Sequence, residues 1–168
     1  MGKRKPTVYL DSNIFSALYG KAIRPADIAR QQVTRDWWNT EREHFECYTS
    51  SVTERELAAG TYVGQVAAVL AARRFRYLVQ TSEVTSCADE LVSRGIIPAT
   101  KVPDAFQLSF AIVYELDYLL TWNYAHLANV AVQRVLERFC DVEDCCAPSV
   151  VSPETIPWVS YGQEIQRD

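Results

Sequence analysis

The stretch "PDAFQLSFAIVYELDYLLTWN", residues 103–123, decides the fold class. Residues 103–116 open on Pro103 and continue with apolar side chains on most sides, the pattern of a buried helix whose first position tolerates proline. "DYLLT" (117–121) then predicts a short strand, and the abrupt change to Trp122 and Asn123 marks its polar edge. A buried helix running straight into a buried strand is the repeating unit of a parallel sheet covered on both faces.

The same alternation extends in both directions. "TVYL" (7–10) predicts a first strand and "SNIFSALYG" a short helix closed by Gly20. Pro25 opens a long helix through "ADIARQQVTRDWWNTERE", with Ile28, Gln32 and Arg35 marking its apolar stripe together with the neighbouring tryptophans. Trp37 and Trp38 are about 100° apart around such a helix, so both cannot lie fully on one buried face, and one is left for a partner interface or an adjacent helix. "FECYTSS" (45–51) gives a second strand and "VTERELAAG" a helix closed by Gly60. A third strand is expected near "YLVQTS", between two helical stretches, the second ended by Gly95 and Pro98. "AHLANVAVQRVLERFC" predicts the last helix and "APSVVSP" (147–153) the last strand. No repeat or linker divides the chain, so residues 1–168 are expected to form one domain, with 1–6 flexible and 154–168 a C-terminal tail.

With 168 residues, 48% hydrophobic and 23% charged, the composition is that of one globular domain. The longest apolar runs fall well short of the roughly 18 residues that suggest a membrane span, and no such run follows the basic N-terminus. Five cysteines, odd in number and irregularly spaced, argue against a secreted disulfide framework and for a reducing cytoplasm. A zinc site built from His44, Cys47, Cys140, Cys145 and Cys146 lacks the paired spacing such sites use. The net charge of −4 gives no global attraction to nucleic acid. Local contacts remain open to Arg73, Arg74 and Arg76 in "ARRFRY", although such clusters more often read as solvated surface.

In open α/β sheets ligands bind beyond the carboxyl ends of the strands. Asp11 directly follows the first strand, Glu56 lies in the helix after the second, Asp104 begins the helix of the opening stretch, and Asn123 ends the strand behind it. Carboxylate oxygens with amide or water partners suit Mg²⁺ or Mn²⁺. Each position also has a structural reading. Asp104 in a first helical turn complements the helix dipole; Asp11 and Asn13 suit an Asx-type turn; Ser51 with Glu54 suits a capping box, which leaves Glu56 to point elsewhere. Asp117, six residues before Asn123 and so roughly 20 Å away along an extended chain, belongs to the other end of the strand.

Taken together, "VYLDSNIF", "SSVTERELAAG" and "PDAFQLSFAIVYELDYLLTWN" resemble, in order and spacing, the motifs of PIN-domain proteins, and in particular the VapC-type toxin ribonucleases. The resemblance implies a three-layer α/β/α fold with a mainly parallel sheet. It also implies Mg²⁺- or Mn²⁺-dependent cleavage of RNA, a homodimer, and inhibition by an antitoxin. Carried onto this sequence, the acids are Asp11, Glu56 and Asp104, with Asn13 and Thr121 as supporting polar residues. The family's fourth acidic position falls at Asn123. That departure leaves open a second reading, a catalytically impaired PIN-like module that binds RNA or protein without cutting it.

Overall fold

Strand β1 (Thr7–Leu10) is buried along its whole length, as a central strand must be when helices cover both sheet faces. The computed structural model describes residues 4–157. The parallel sheet has the order β3-β2-β1-β4-β5, with β2 (Glu46–Ser50), β3 (Arg76–Leu78), β4 (Tyr118–Leu120) and β5 (Ser149–Val151). Val8 pairs with Cys47 on one side and Tyr118 on the other. The chain builds outward from β1 through β2 to β3, then crosses to β4 and β5. The order therefore reverses between β1 and β4, the place where such sheets open a binding crevice.

Side chains alternate between two cores, as the strand period of two requires. Tyr9 and Leu119 face a cluster built with α5 (Ser82–Ser93), α6 (Val102–Val113) and α7 (Val130–Glu143). Val8, Leu10 and Leu120 face a second cluster with α1 (Ser12–Tyr19), α2 (Pro25–Thr40) and α4 (Gln65–Ala72). Helix α3 (Ser51–Ala59) reaches both, through Val52 and Leu57. The three-layer α/β/α arrangement expected from the sequence is thus present. At Gly64, where φ is +94°, an added Cβ would meet the Tyr19 carbonyl oxygen at 2.0 Å, so only glycine lets α4 start so close to the end of α1.

Several local expectations are corrected. The stripe of α2 is not the one through Ile28, which is 52% exposed. Its buried residues are Thr34 and Trp37, because the helix is fastened to α1 by Gln31, whose Nε2 donates to the carbonyls of Ala17 and Gly20 at 2.9 and 2.8 Å. Of the two readings of the tryptophan pair the adjacent helix holds: Trp37 packs against Phe45, and Trp38 edge-on to Phe15 of α1 and to Phe75. Helix α7 starts at Val130 rather than Ala125, since Asn129 caps it by accepting from the Val132 N–H at 2.9 Å. The cap of α3 is Ser50, not Ser51, and Glu54 pairs with Arg73 instead of closing a capping box. At the ends, Lys5 donates to the Glu43 carbonyl and Pro6 accepts from the Glu46 N–H, so these residues of the segment expected to be flexible are docked. Ile156, expected in a tail, is buried in the second core; residues 1–3 and 158–168 of the two end segments lie outside the described residues.

Candidate active site

Backbone geometry brings Asp11 and Thr121 together: β1 and β4 are adjacent, and the Asp11 N–H donates to the Leu120 carbonyl at 3.1 Å. Asp11 is 3% exposed. Its Oδ1 caps α1, accepting from the Asn13 N–H at 3.3 Å and from the Ser12 hydroxyl at 3.1 Å. Its Oδ2 accepts from Asn13 Nδ2 at 2.6 Å and from the Thr121 hydroxyl in a short bond. The capping reading of Asp11 holds through Oδ1, while Oδ2 is turned to the side chains of Asn13 and Thr121. Asn13 completes a small lattice, donating to Thr121 Oγ1 at 2.9 Å and accepting from the Trp122 N–H at 2.9 Å.

Asp104 stands in the first turn of α6 and is largely buried, and Asn123 Nδ2 donates to its Oδ2 at 3.0 Å. The other end of that amide is occupied: Asn123 Oδ1 accepts from the His126 N–H at 3.1 Å. Asn123 therefore presents a donor toward the acid and uses its oxygen to hold the following turn. Glu56 is held by Gln107, whose Nε2 donates to Oε2 in a short bond, while Gln107 Oε1 is buried without a partner. Tyr9 anchors the start of α3 beneath, its hydroxyl bonded to those of Ser50 and Thr53 at 2.7 and 3.0 Å.

All three acids are reluctant to ionise. Burial pushes Asp11 up first, and the nearby Asp104 adds to it, against the donors on its oxygens. Glu56 is pushed up to about 7, by burial and then by the charges of Asp11 and Asp104. Burial also raises Asp104, opposed by the Asn123 hydrogen bond and by the charges of His126 and Lys101. Among the described residues no lysine or arginine forms an ion pair with any of the three.

Oxygen donors in excess of their local compensation fit a hard divalent cation, and the unpartnered Gln107 oxygen adds one more. Among the described residues no three His, Cys, Asp or Glu side chains converge closely enough to enclose an ion. Any hard cation here would be held through one or two carboxylates, with water in its remaining positions. The five cysteines are free thiols.

The other sequence candidates lie apart from these acids. Asp117 is at the opposite end of the sheet, where it accepts from the N–H and hydroxyl of Thr7. Arg73 is bound to Glu54, and Arg76 to Tyr48 and Glu46. Arg74 is exposed. The structure also adds Gln107, Ser12 and His126. Gln107 was legible as a residue three after Asp104, hence on the same helix face; the other two depend on the turns around them.

The sequence matches no family model and no curated protein. Its structure is similar to a chain from a toxin–antitoxin complex of Klebsiella pneumoniae, with TM-score 0.54 and 17% identity over 87% of this chain and 97% of that one. A looser likeness, TM-score 0.46 and 14% identity over 87% and 98% of the two chains, is to a VapBC2 structure from Rickettsia felis bound to a DNA fragment from their promoter. At 17% identity the likeness to the Klebsiella chain establishes the fold alone, a five-stranded parallel sheet with helices on both faces.

Proposed function

We propose that this chain is a Mg²⁺- or Mn²⁺-dependent endoribonuclease and serves as the toxin of a toxin–antitoxin pair. The observation that carries the reading is the gathering of Asp11, Glu56 and Asp104 from three separate elements at the crevice between β1 and β4, each held back from ionising by burial. A fold gains nothing from such crowding; a cation-dependent site does. The toxin role draws on the fold shared with the Klebsiella complex. An antitoxin and a second copy of the chain are its proposed protein partners.

A bound divalent ion would supply positive charge to phosphoryl oxygens and a more acidic water. Asp11 and Asp104 are the residues to hold it. Thr121, Asn13 and Ser12 fix the Asp11 carboxylate, and Asn123 fixes Asp104. Glu56, steadied by Gln107, orients the attacking water and accepts its proton. Purified protein incubated with labelled single-stranded RNA should cut it only with Mg²⁺ or Mn²⁺, and Asp11→Asn should abolish the products. Equal cutting by the variant, or by wild type in chelator, defeats the proposal.

One observation favours a binding module instead. Asn123 brings no charge, and its amide already satisfies Asp104 and the turn at His126. RNA bound with ordinary affinity but uncut under any divalent ion would select that reading.

A further inference from the structure

Beside the acids lies a cavity of about 300 Å³ between α1, the loop after it, α2 and Trp122, at the lower end of the range for small-ligand sites. Asn13 lines it, the same residue whose amide is bonded to Asp11, so the cavity opens directly beside the acidic crevice. Its far wall carries Lys21 and Arg30, both exposed and without an ion pair among the described residues. Asp27, also in the wall, is engaged by Arg24 at 2.7 and 3.2 Å. Asp27 also feels the charge of Arg30.

Arg30 is also placed against aromatic rings. Its guanidinium carbon is 5.7 Å from the Trp122 ring centre and 6.0 Å from that of Tyr124, and the two rings meet at 69°. Trp122 is itself fixed, with its indole N–H donating to Thr34 Oγ1 at 2.9 Å and its backbone N–H to Asn13. A planar guanidinium placed over a fixed ring offers a face on which an unstacked base can lie.

The geometry points to this cavity as a nucleotide subsite of the nuclease proposed above: it takes one unpaired base of single-stranded RNA on Arg30, with Lys21 on an adjoining phosphate. This deepens that reading by specifying unpaired substrate next to the cleavage centre. A duplex, whose bases are stacked and paired, cannot supply the base.

The test is binding without divalent ion. Fluorescence anisotropy with the full chain compares a labelled single-stranded oligoribonucleotide with versions carrying one abasic position, moved along the strand. Wild type should bind one of the abasic versions about 5- to 150-fold more weakly than the intact strand, the range for loss of one stacked base. Arg30→Ala should bind intact and abasic strands alike, and Arg30→Lys, which keeps the charge but not the plane, should do the same. The inference is overturned if wild type shows no affinity for the strand, if no abasic position matters, or if Arg30→Lys keeps the full difference. A base-dependent loss through Arg30 in a protein that never cuts RNA would retain the subsite and remove the nuclease. Asp11-dependent cutting with no base dependence would do the reverse.

Discussion

The two ends of β1 and β4 handle carboxylates in opposite ways. At the amino end Asp117 meets the Thr7 N–H at 2.7 Å and the Thr7 hydroxyl at 2.8 Å, and its own N–H donates back to Thr7 Oγ1 at 2.9 Å. One acid is matched by local donors, and the result is a clasp between neighbouring strands. At the carboxyl end Glu56 feels the charges of Asp11 and Asp104, Asp11 feels that of Asp104, and burial raises all three. Donors there orient the oxygens without neutralising them. An acid that holds a fold is satisfied by the fold, and under the proposed function the acids at the other end are left for a cation.

The sharpest way to break the comparison is to exchange consequences between the ends. Asp11→Asn should lower RNA cleavage by more than about 100-fold, beyond the 10–100-fold typical of groups that only orient ligands, while circular dichroism shows the fold intact. Asp117→Ala should leave cleavage unchanged and cost about 1–3 kcal/mol, because it strands the Thr7 N–H. If Asp117→Ala abolished cleavage, or Asp11→Asn unfolded the chain, the division between the two ends would be wrong.

Divalent ion should distinguish the ends next. An ion at about 100 times its dissociation constant adds about 2.7 kcal/mol to a protein that binds it only when folded. For a chain of this size that corresponds to a rise in melting temperature of roughly 5–10 °C. Asp117→Ala should keep this rise and Asp11→Asn should lose it. An equal rise from monovalent salt at the same ionic strength would indicate general screening instead.

Protons should mimic the ion weakly. Glu56 has its folded pKa raised to about 7 from an ordinary 4.5, so its charged form is disfavoured in the folded state. The relative stabilisation is fully present below the unfolded value and is lost as pH rises through about 7. Metal-free protein should therefore melt several degrees higher near pH 5.5 than near pH 8. Glu56→Gln should flatten this slope, and a steeper slope in that variant would remove Glu56 as its source.

Most of the fold could be read in the sequence because it follows from local signals. "TVYL" and "DYLLT" are apolar runs ending at polar residues, and Gly20 and Gly60 close the helices where expected. The position of Asp11 followed from the rule that strand ends face the crevice, and that of Asp104 from the start of its helix. What could not be read depends on contacts distant in sequence. Spacing alone points to Ile28 for the stripe of α2, because periodicity cannot tell which face meets α1; Gln31, through bonds to Ala17 and Gly20, settles it. Arg73 looked available until the fold placed it on Glu54. The direction of Asn123 was equally hidden, since an amide can ligate through oxygen or donate through nitrogen, and only Asp104 on one side and His126 on the other fix which.

That direction sets the last and smallest expected effect. Asn123→Asp keeps an acceptor for the His126 N–H but replaces the donor facing Asp104, now 3.0 Å away, with a second oxygen. Without metal the two carboxylates repel and Asp104 loses the hydrogen bond that favours its charged form, so the variant should be about 1 kcal/mol less stable, or roughly 2–4 °C. With Mn²⁺ the sign reverses, because the added charge is drawn to the ion: the thermal shift should exceed that of wild type, and calorimetric titration should show tighter binding. Asn123→Ala leaves Asp104 unsteadied without adding charge, and should slow cleavage less than Asp11→Asn does. If Asn123→Asp were as stable as wild type without metal and bound Mn²⁺ no more tightly, Asn123 would not act on Asp104, and the carboxyl end of the sheet would have one orienting contact fewer than its geometry indicates.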